Sequence, residues 1–284
     1  MQLASNRTPA GVDWFVLTVD LLVLALGPVI LGVVQLFAPE SFQSLLTYDS
    51  AAVSFHGLFG HWAVHYTGQH LLDNVIGYAV IVWTAYLLAW NAGERRWFRL
   101  SALTILVVVP AVSISASALA FDAIDPALSY TSRGASGVVA ALAGLLYALS
   151  LGFVRRLTDL RGTISLGGTI LILVMTGLLV QIGSPESVVV GGILGATGLV
   201  LILDTGLRLR GRRLADIRWR TGLVVLVVGY AVTALLYAVF LSLFPPDPFA
   251  GSTITNVFSH ATGFVLGTVI TVWGHRYWTG DSWS

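Results

Sequence analysis

The sequence predicts an all-α polytopic transmembrane helix bundle of about eight spans, and three observations carry that prediction. Hydrophobic residues make up 56% of the 284-residue chain and charged residues only 10%, against roughly 25% charged in an ordinary soluble domain. Mean hydropathy is +0.84. Apolar runs of roughly 20 residues, the length that crosses a hydrocarbon core of about 30 Å, recur along the chain with short polar interruptions. Finally, lysine is absent, so all 15 positive charges are arginines, and they sort to one side once the runs are threaded.

Residues 1–13, with Arg7, read as a short tail. The first span, 14–37, is too long for a signal-peptide core of roughly 7 to 15 residues and lacks a small-residue cleavage site, so it is expected to be retained, with Pro28 as a kink. The segment Ala38 to Gln69 holds Glu40, Asp49 and His56, His61 and His65. It is too polar to span and too aromatic for a plain linker, which places it at the membrane interface. Spans follow at about 70–90 and 99–121, joined by a turn with Glu94, Arg95, Arg96 and Arg99. Asp122 to Arg133 is a loop. A fourth span, 134–154, opens on Gly134-Ala135-Ser136-Gly137, and Arg155, Arg156, Asp159 and Arg161 separate it from a fifth at 164–182.

Gly183-Ser184-Pro185-Glu186 makes a tight turn into a sixth span, 187–207. An arginine-dense loop, Arg208 to Arg220, leads to a seventh, 221–244, which Pro245-Pro246 terminates. The eighth is 256–274, and 276–284 is a second tail, so 14–275 forms one membrane domain. With the N terminus inside, the loops after spans two, four and six and the tails hold every arginine except Arg133. By the positive-inside rule both termini are cytoplasmic. Glu40, Asp49, Asp122, Asp125, Glu186 and Asp247 fall outside.

Chemistry is bounded by what is missing. With no cysteine, disulfides, thiolate metal sites and a cysteine nucleophile are excluded. A net charge of +1 gives no reason to expect a nucleic-acid partner. His61 and His65 are four apart near His56 and His70, but no acidic residue completes a His-Glu-x-x-His pattern. Hydrogen bonding in the first loop is the preferred reading, with no metal and no cofactor.

Threading converts position along a span into depth at about 1.5 Å per residue. Ser136 then lies at the outer mouth of span four, and His260 about one turn inside the outer mouth of span eight. His70 and Asn74, at i and i+4, share one face at the outer end of span two. A serine hydroxyl becomes a useful nucleophile when a neutral imidazole takes its proton. The Asn74 amide, the His70 ring and the unpaired N–H groups at the start of the Ser136 helix are candidate donors for a developing oxyanion. No Asp or Glu lies near His260 in its span, so a Ser-His dyad is expected rather than a triad. Gly134 and Gly137 allow close approach to Ser136, while Gly263 and Gly267 are read as packing the His260 helix on span four. Asp20, inside the first span, must pair with an unnamed partner. Arg133 is read as an interfacial anchor, and Asp204 as a pair for Arg208 one turn later.

These residues carry a family resemblance. The segment His61-Trp-Ala-Val-His65-Tyr-Thr-Gly-Gln-His70-Leu-Leu-Asp-Asn74, the mouth Gly134-Ala-Ser136-Gly137 and His260-Ala-Thr-Gly263-Phe-Val-Leu-Gly267 resemble the three signature blocks of rhomboid intramembrane serine proteases, in matching order and orientation. The resemblance implies that Ser136 is the nucleophile, His260 the general base and acid, and His70, Asn74 and the Ser136 N–H the oxyanion hole. It also implies that the partners are transmembrane protein substrates, cut near the outer face of the cell membrane. The chain departs from the family in three ways: three spans rather than one between the serine and histidine helices, Ala140 where an aromatic often packs on the histidine, and no clear Trp-Arg motif after span one. Two other readings keep these residues in different roles. One is a rhomboid-like protein that binds membrane segments without cutting them; the other is a proton-coupled transporter using His70 and His260.

Overall fold

The computed structural model describes residues 14–157, 160–184, 187, 189–198, 219–244 and 255–279. Ten α-helices lie among them: α1 (Trp14–Phe37), α2 (Glu40–Leu46), α3 (Phe55–Gly60), α4 (Gly68–Ala92), α5 (Arg95–Ile124), α6 (Ser136–Leu157), α7 (Leu160–Ile182), α8 (Val189–Gly198), α9 (Trp219–Leu243) and α10 (Val257–Thr279). Seven of them, α1, α4, α5, α6, α7, α9 and α10, are long and apolar enough to cross a membrane. The chain is thus a multi-pass, all-α bundle. Its expected spans match these helices to within about five residues at each end, because a continuous apolar run is what commits the backbone to satisfying its own hydrogen bonds.

One helix stands at the centre. In its most apolar stretch α6 is 83% buried, whereas the corresponding stretches of the other six long helices range from 17% to 39%. Helices α4, α5, α7, α9 and α10 surround it, and α10 packs most intimately. Glycines explain that intimacy. A Cβ added at Gly263 would run into the Gly137 carbonyl, and one at Gly267 into the Ala141 carbonyl. On the α6 side, a Cβ at Gly144 would meet the backbone of Phe264 and Thr268. Gly263 and Gly267 therefore let the two helices approach closely, and pairing in step with Gly137 and Ala141 makes them parallel.

Directions follow from cross-contacts. Helix α5 runs against α10, since Trp97 Nε1 donates to the Thr271 carbonyl at 2.7 Å while Ser113 and Ser259 meet at 3.2 Å. Helices α7 and α9 run the same way, with Gly229 against Leu166 and Gly177 against Tyr237. Next in sequence after α7, α8 runs back along it, Gly191 lying against Leu179 and Gly198 against Ile172. The rest of the expected sixth span, the Asp204/Arg208 pair and the arginine-dense loop lie outside the described residues.

At one end of the bundle Arg156 bonds to Glu94. At the other, the first loop is folded into short helices and a strand. Two residues of it, Tyr48 and Asp49, pair antiparallel with Ser132 and Thr131, tying this segment to the loop before α6. Alternation is too short over two residues to announce such a strand in the sequence.

Asp20 finds its partners here. Its carboxylate accepts from the Tyr86 hydroxyl and from Arg99, each at 2.6 Å, joining α1, α4 and α5. The carboxylate side chain is 9% exposed and Arg99 46%, so the carboxylate is buried and the arginine half-exposed. Arg99→Ala leaves a buried carboxylate short of its counter-charge and is expected to cost about 1–3 kcal/mol, moderated by the exposure of the arginine. Thermal unfolding in detergent reads this; Asp20→Asn in the Arg99→Ala background should recover part of the loss.

Candidate active site

The approach to Ser136 is set residue by residue. Arg133 donates from Nε to Thr47 Oγ1 at 2.8 Å and pairs with Glu40 at 3.2 Å. Its guanidinium also lies over the Tyr66 ring. Arg133 is thus tied to protein groups of the first loop. Gly134 follows with φ +127, a region that L side chains rarely adopt. Its amide donates to the His61 carbonyl at 2.9 Å. A Cβ there would stand 2.7 Å from His70 Nε2, so glycine is needed twice, for backbone and for space. The Ala135 amide points to His65 Nε2 at 3.4 Å. Ser136 then starts α6, whose first helical bond runs from the Val139 amide to the Ala135 carbonyl. The amides of Ser136, Gly137 and Val138 accordingly have no helical acceptor, and the positive end of the α6 dipole lies among them.

His260 approaches from α10. Asn256 precedes that helix, its side-chain oxygen accepting from the Ser259 amide at 3.0 Å and from Ser117 of α5. This fixes the first turn, so His260 Nε2 lies 2.7 Å from Ser136 Oγ. The other ring nitrogen, Nδ1, lies 2.6 Å from the Leu243 carbonyl at the end of α9. A carbonyl can only accept, so Nδ1 carries the proton, and Nε2 is left with the lone pair that receives the Ser136 O–H. This is the tautomer that a general base for Ser136 needs. The imidazole is buried, with His260 only 4% exposed.

What positions that ring is an aromatic from elsewhere in the chain. Phe244 stands edge-on to it, centroids 5.8 Å apart and planes at 86°. Ala140 is fully buried, and its methyl lies 3.4 Å from where a Gly263 Cβ would be. An aromatic at 140 has no space while α6 and α10 pack this closely.

The other expected residues divide. His70 is brought against Gly134 and stacks on Tyr66. Asn74, one turn further along the same face, is buried but spends one amide N–H on the His70 carbonyl at 3.0 Å. That bond directs the donor along α4, and among the described residues no hydrogen bond joins Asn74 to Ser136. His56 is exposed and His61 buried with Nδ1 at 3.1 Å from the Gly57 carbonyl. Among the described residues no three His, Cys, Asp or Glu side chains converge as metal ligands.

Sequence reasoning missed Leu243, Phe244 and the specific role of His65. It also missed the buried polar seam of Ser113, Ser117 and Ser259. The seam had a signal, serines at i and i+4 in an apolar helix. Leu243 had none, because a backbone carbonyl has no residue code.

Comparison of the chain with protein-family models, with curated proteins and with solved structures finds no match. The fold and the Ser136–His260 geometry therefore stand as the primary guides to function.

Burial holds the loop histidines neutral: His61 is pushed down to about 4 and His65 to about 3, from an ordinary 6.5. Each takes up a proton more readily unfolded than folded. Their contribution to stability is complete above pH 6.5 and declines as the pH falls towards 4 and 3. Exchange of the Gly134 and Ala135 amides, corrected for intrinsic rate, should accelerate between about pH 6.5 and 4, and His65→Phe should remove part of that acceleration. Gly134→Ala is expected to lower the unfolding temperature by several degrees, as strain of about 1–3 kcal/mol adds to the His70 clash. An unchanged melting curve would mean that the loop can refit around a methyl group.

Proposed function

We propose that the chain is an intramembrane serine endopeptidase of the rhomboid type, cutting transmembrane segments near the outer face of the cell membrane. The observation that carries the reading is the Ser136 Oγ to His260 Nε2 hydrogen bond at 2.7 Å with Nδ1 committed to a carbonyl. A hydroxyl and a correctly protonated imidazole, delivered by separate helices to the loop-capped end of the bundle, form the minimum for nucleophilic acyl transfer.

In this reaction Ser136 Oγ attacks the substrate carbonyl carbon while its proton passes to Nε2. The carbonyl π electrons move to oxygen, where the α6 N-terminal amide of Ser136, with His70 and Asn74 as side-chain donors, stabilises the negative charge. Collapse of the intermediate breaks the C–N bond, and the imidazolium returns its proton to the leaving amine. Water then repeats the sequence on the acyl-enzyme, with His260 again as base and acid. No cofactor enters the scheme. For Asn74 it requires either its second N–H or release of the bond to His70.

The orientation in which both termini are cytoplasmic belongs to the same proposal. It puts Ser136 at the extracytoplasmic mouth, where water for deacylation is close at hand. A serine-directed fluorophosphonate should label the intact chain, and Ser136→Ala and His260→Ala should each abolish labelling. Folded protein that neither labels nor cuts any transmembrane peptide would sink the protease. Flux across proteoliposomes that survives Ser136→Ala would instead favour transport. Asn74→Ala should slow turnover roughly ten- to a thousandfold, as loss of an oxyanion donor does; unchanged turnover would remove it from the site.

A further inference from the structure

The reaction leaves a charge unexplained. When His260 takes the serine proton it becomes an imidazolium in a buried position, and among the described residues no carboxylate is bonded to it: α6 offers the Ser136 hydroxyl, and the titratable ring that acts on it from α4 is His70. What does face it is the carboxyl end of α9. Leu243 is the last residue of that helix and Phe244 closes it, the Phe244 amide donating to the Phe240 carbonyl at 2.8 Å. Pro245 and Pro246 come next in the sequence. Proline has no N–H and disfavours helical backbone in the residue before it, so Leu241 and Ser242 lose their i+4 donors and the helix stops with Leu243 as its last residue, its carbonyl among the end groups that have no partner within the helix. The Leu243 carbonyl meets this deficit by accepting from His260 Nδ1 at 2.6 Å.

Resting on the serine-protease reading, we propose that the carboxyl end of α9 is the third member of the site: the Leu243 carbonyl orients His260 and, with the negative end of the helix dipole, stabilises its imidazolium, while the Phe244 ring holds the imidazole in plane. The pairing does for His260 what a carboxylate does in a triad. A protonated Nδ1 donates, the tautomer is fixed, and a partial negative charge meets the cation as it forms. Leu243 and Phe244 are positioning residues, since neither touches Ser136 or the reacting carbonyl. Phe240 continues the support, its ring edge-on to Phe264 at 5.0 Å and tilted against Phe244 at 5.3 Å, so α9 is keyed to α10 directly below the base. The helix that carries this end belongs to the three-span segment separating Ser136 from His260 in the sequence. That segment is thereby part of the catalytic apparatus rather than an addition beside it.

The test uses the full chain in detergent micelles with its imidazoles labelled with nitrogen-15. Nuclear magnetic resonance should find His260 in the Nδ1–H form with a slowly exchanging proton, in wild type and in Ser136→Ala alike. Replacing Phe244 by phenyllactic acid turns the Leu243 carbonyl into that of an ester, a weaker acceptor, while the ring stays. It should lower kcat about fivefold or more with KM changed less than about twofold. The same ester exchange at Val239, which removes a helical N–H without touching the site, controls for loss of a backbone bond and should leave kcat within about twofold. Phe244→Ala should lower kcat about three- to tenfold, and Phe244→Tyr should restore it. An active chain with His260 protonated on Nε2, or one whose kcat ignores the ester at 244, overturns this proposal alone. A wild-type chain that neither labels nor cleaves overturns the protease reading and this proposal with it.

Discussion

Backbone contact between α6 and α10 is the constraint on which the site depends. Gly263 and Gly267 press against the carbonyls of Gly137 and Ala141, and side chains at those glycines would push the helices apart by about an ångström or more. Ser136 and His260 stand at the first turns of these same helices, where such a shift would turn a 2.7 Å hydrogen bond into a water-bridged gap. In lipid there is little hydrophobic gain from bringing two apolar helices together, so close van der Waals fit supplies the attraction. The glycines thus serve two ends at once: they hold the bundle together, and they set the reach between nucleophile and base.

The same closeness dictates where the aromatic support can come from. Against a backbone with no Cβ at 263, position 140 has room for a methyl group only. The ring is supplied by Phe244, and with it comes a helix end that the imidazole can bond. One helix then provides shape and charge together. Ala140, a departure from the aromatic often found there in the family the chain resembles, marks the place where packing and support are divided between two helices.

Span positions were legible because they rest on a property summed over about twenty residues, and errors of a few residues do not change the sum. The pairing of Ser136 with His260 was legible for a related reason, since depth follows from counting along two helices that enter from one side. Rotation about a helix axis and lateral neighbourhood do not follow from counting. The partners of Asp20 could not be named because Tyr86 and Arg99 are 66 and 79 residues away, and only packing puts them on facing sides. Asn74 shows the same limit from the other direction. Its depth suits an oxyanion donor, yet its amide bonds back to its own helix at His70.

The first loop is where local sequence rules gave least and tertiary bonding decides most. Its short helices and its two-residue strand are below the length at which periodicity speaks. They are fixed by individual contacts, such as Arg133 on Thr47 and Glu40 and the His65 amide on Gln35 of α1 at 3.0 Å. These contacts converge on the residues just before Ser136. The Gly134 and Ala135 amides are committed to His61 and His65, which leaves the next amides, those at the start of α6, as the ones without a local acceptor. Two loop histidines that invited a metal reading thus select which backbone donors stay available beside the serine. His65 can do so only while neutral, because a protonated Nε2 would present an N–H to the Ala135 N–H instead of a lone pair, whereas His61 accepts through its backbone carbonyl. Burial, by keeping the His65 ring neutral, ties the electrostatics of the loop to the geometry of the mouth of α6.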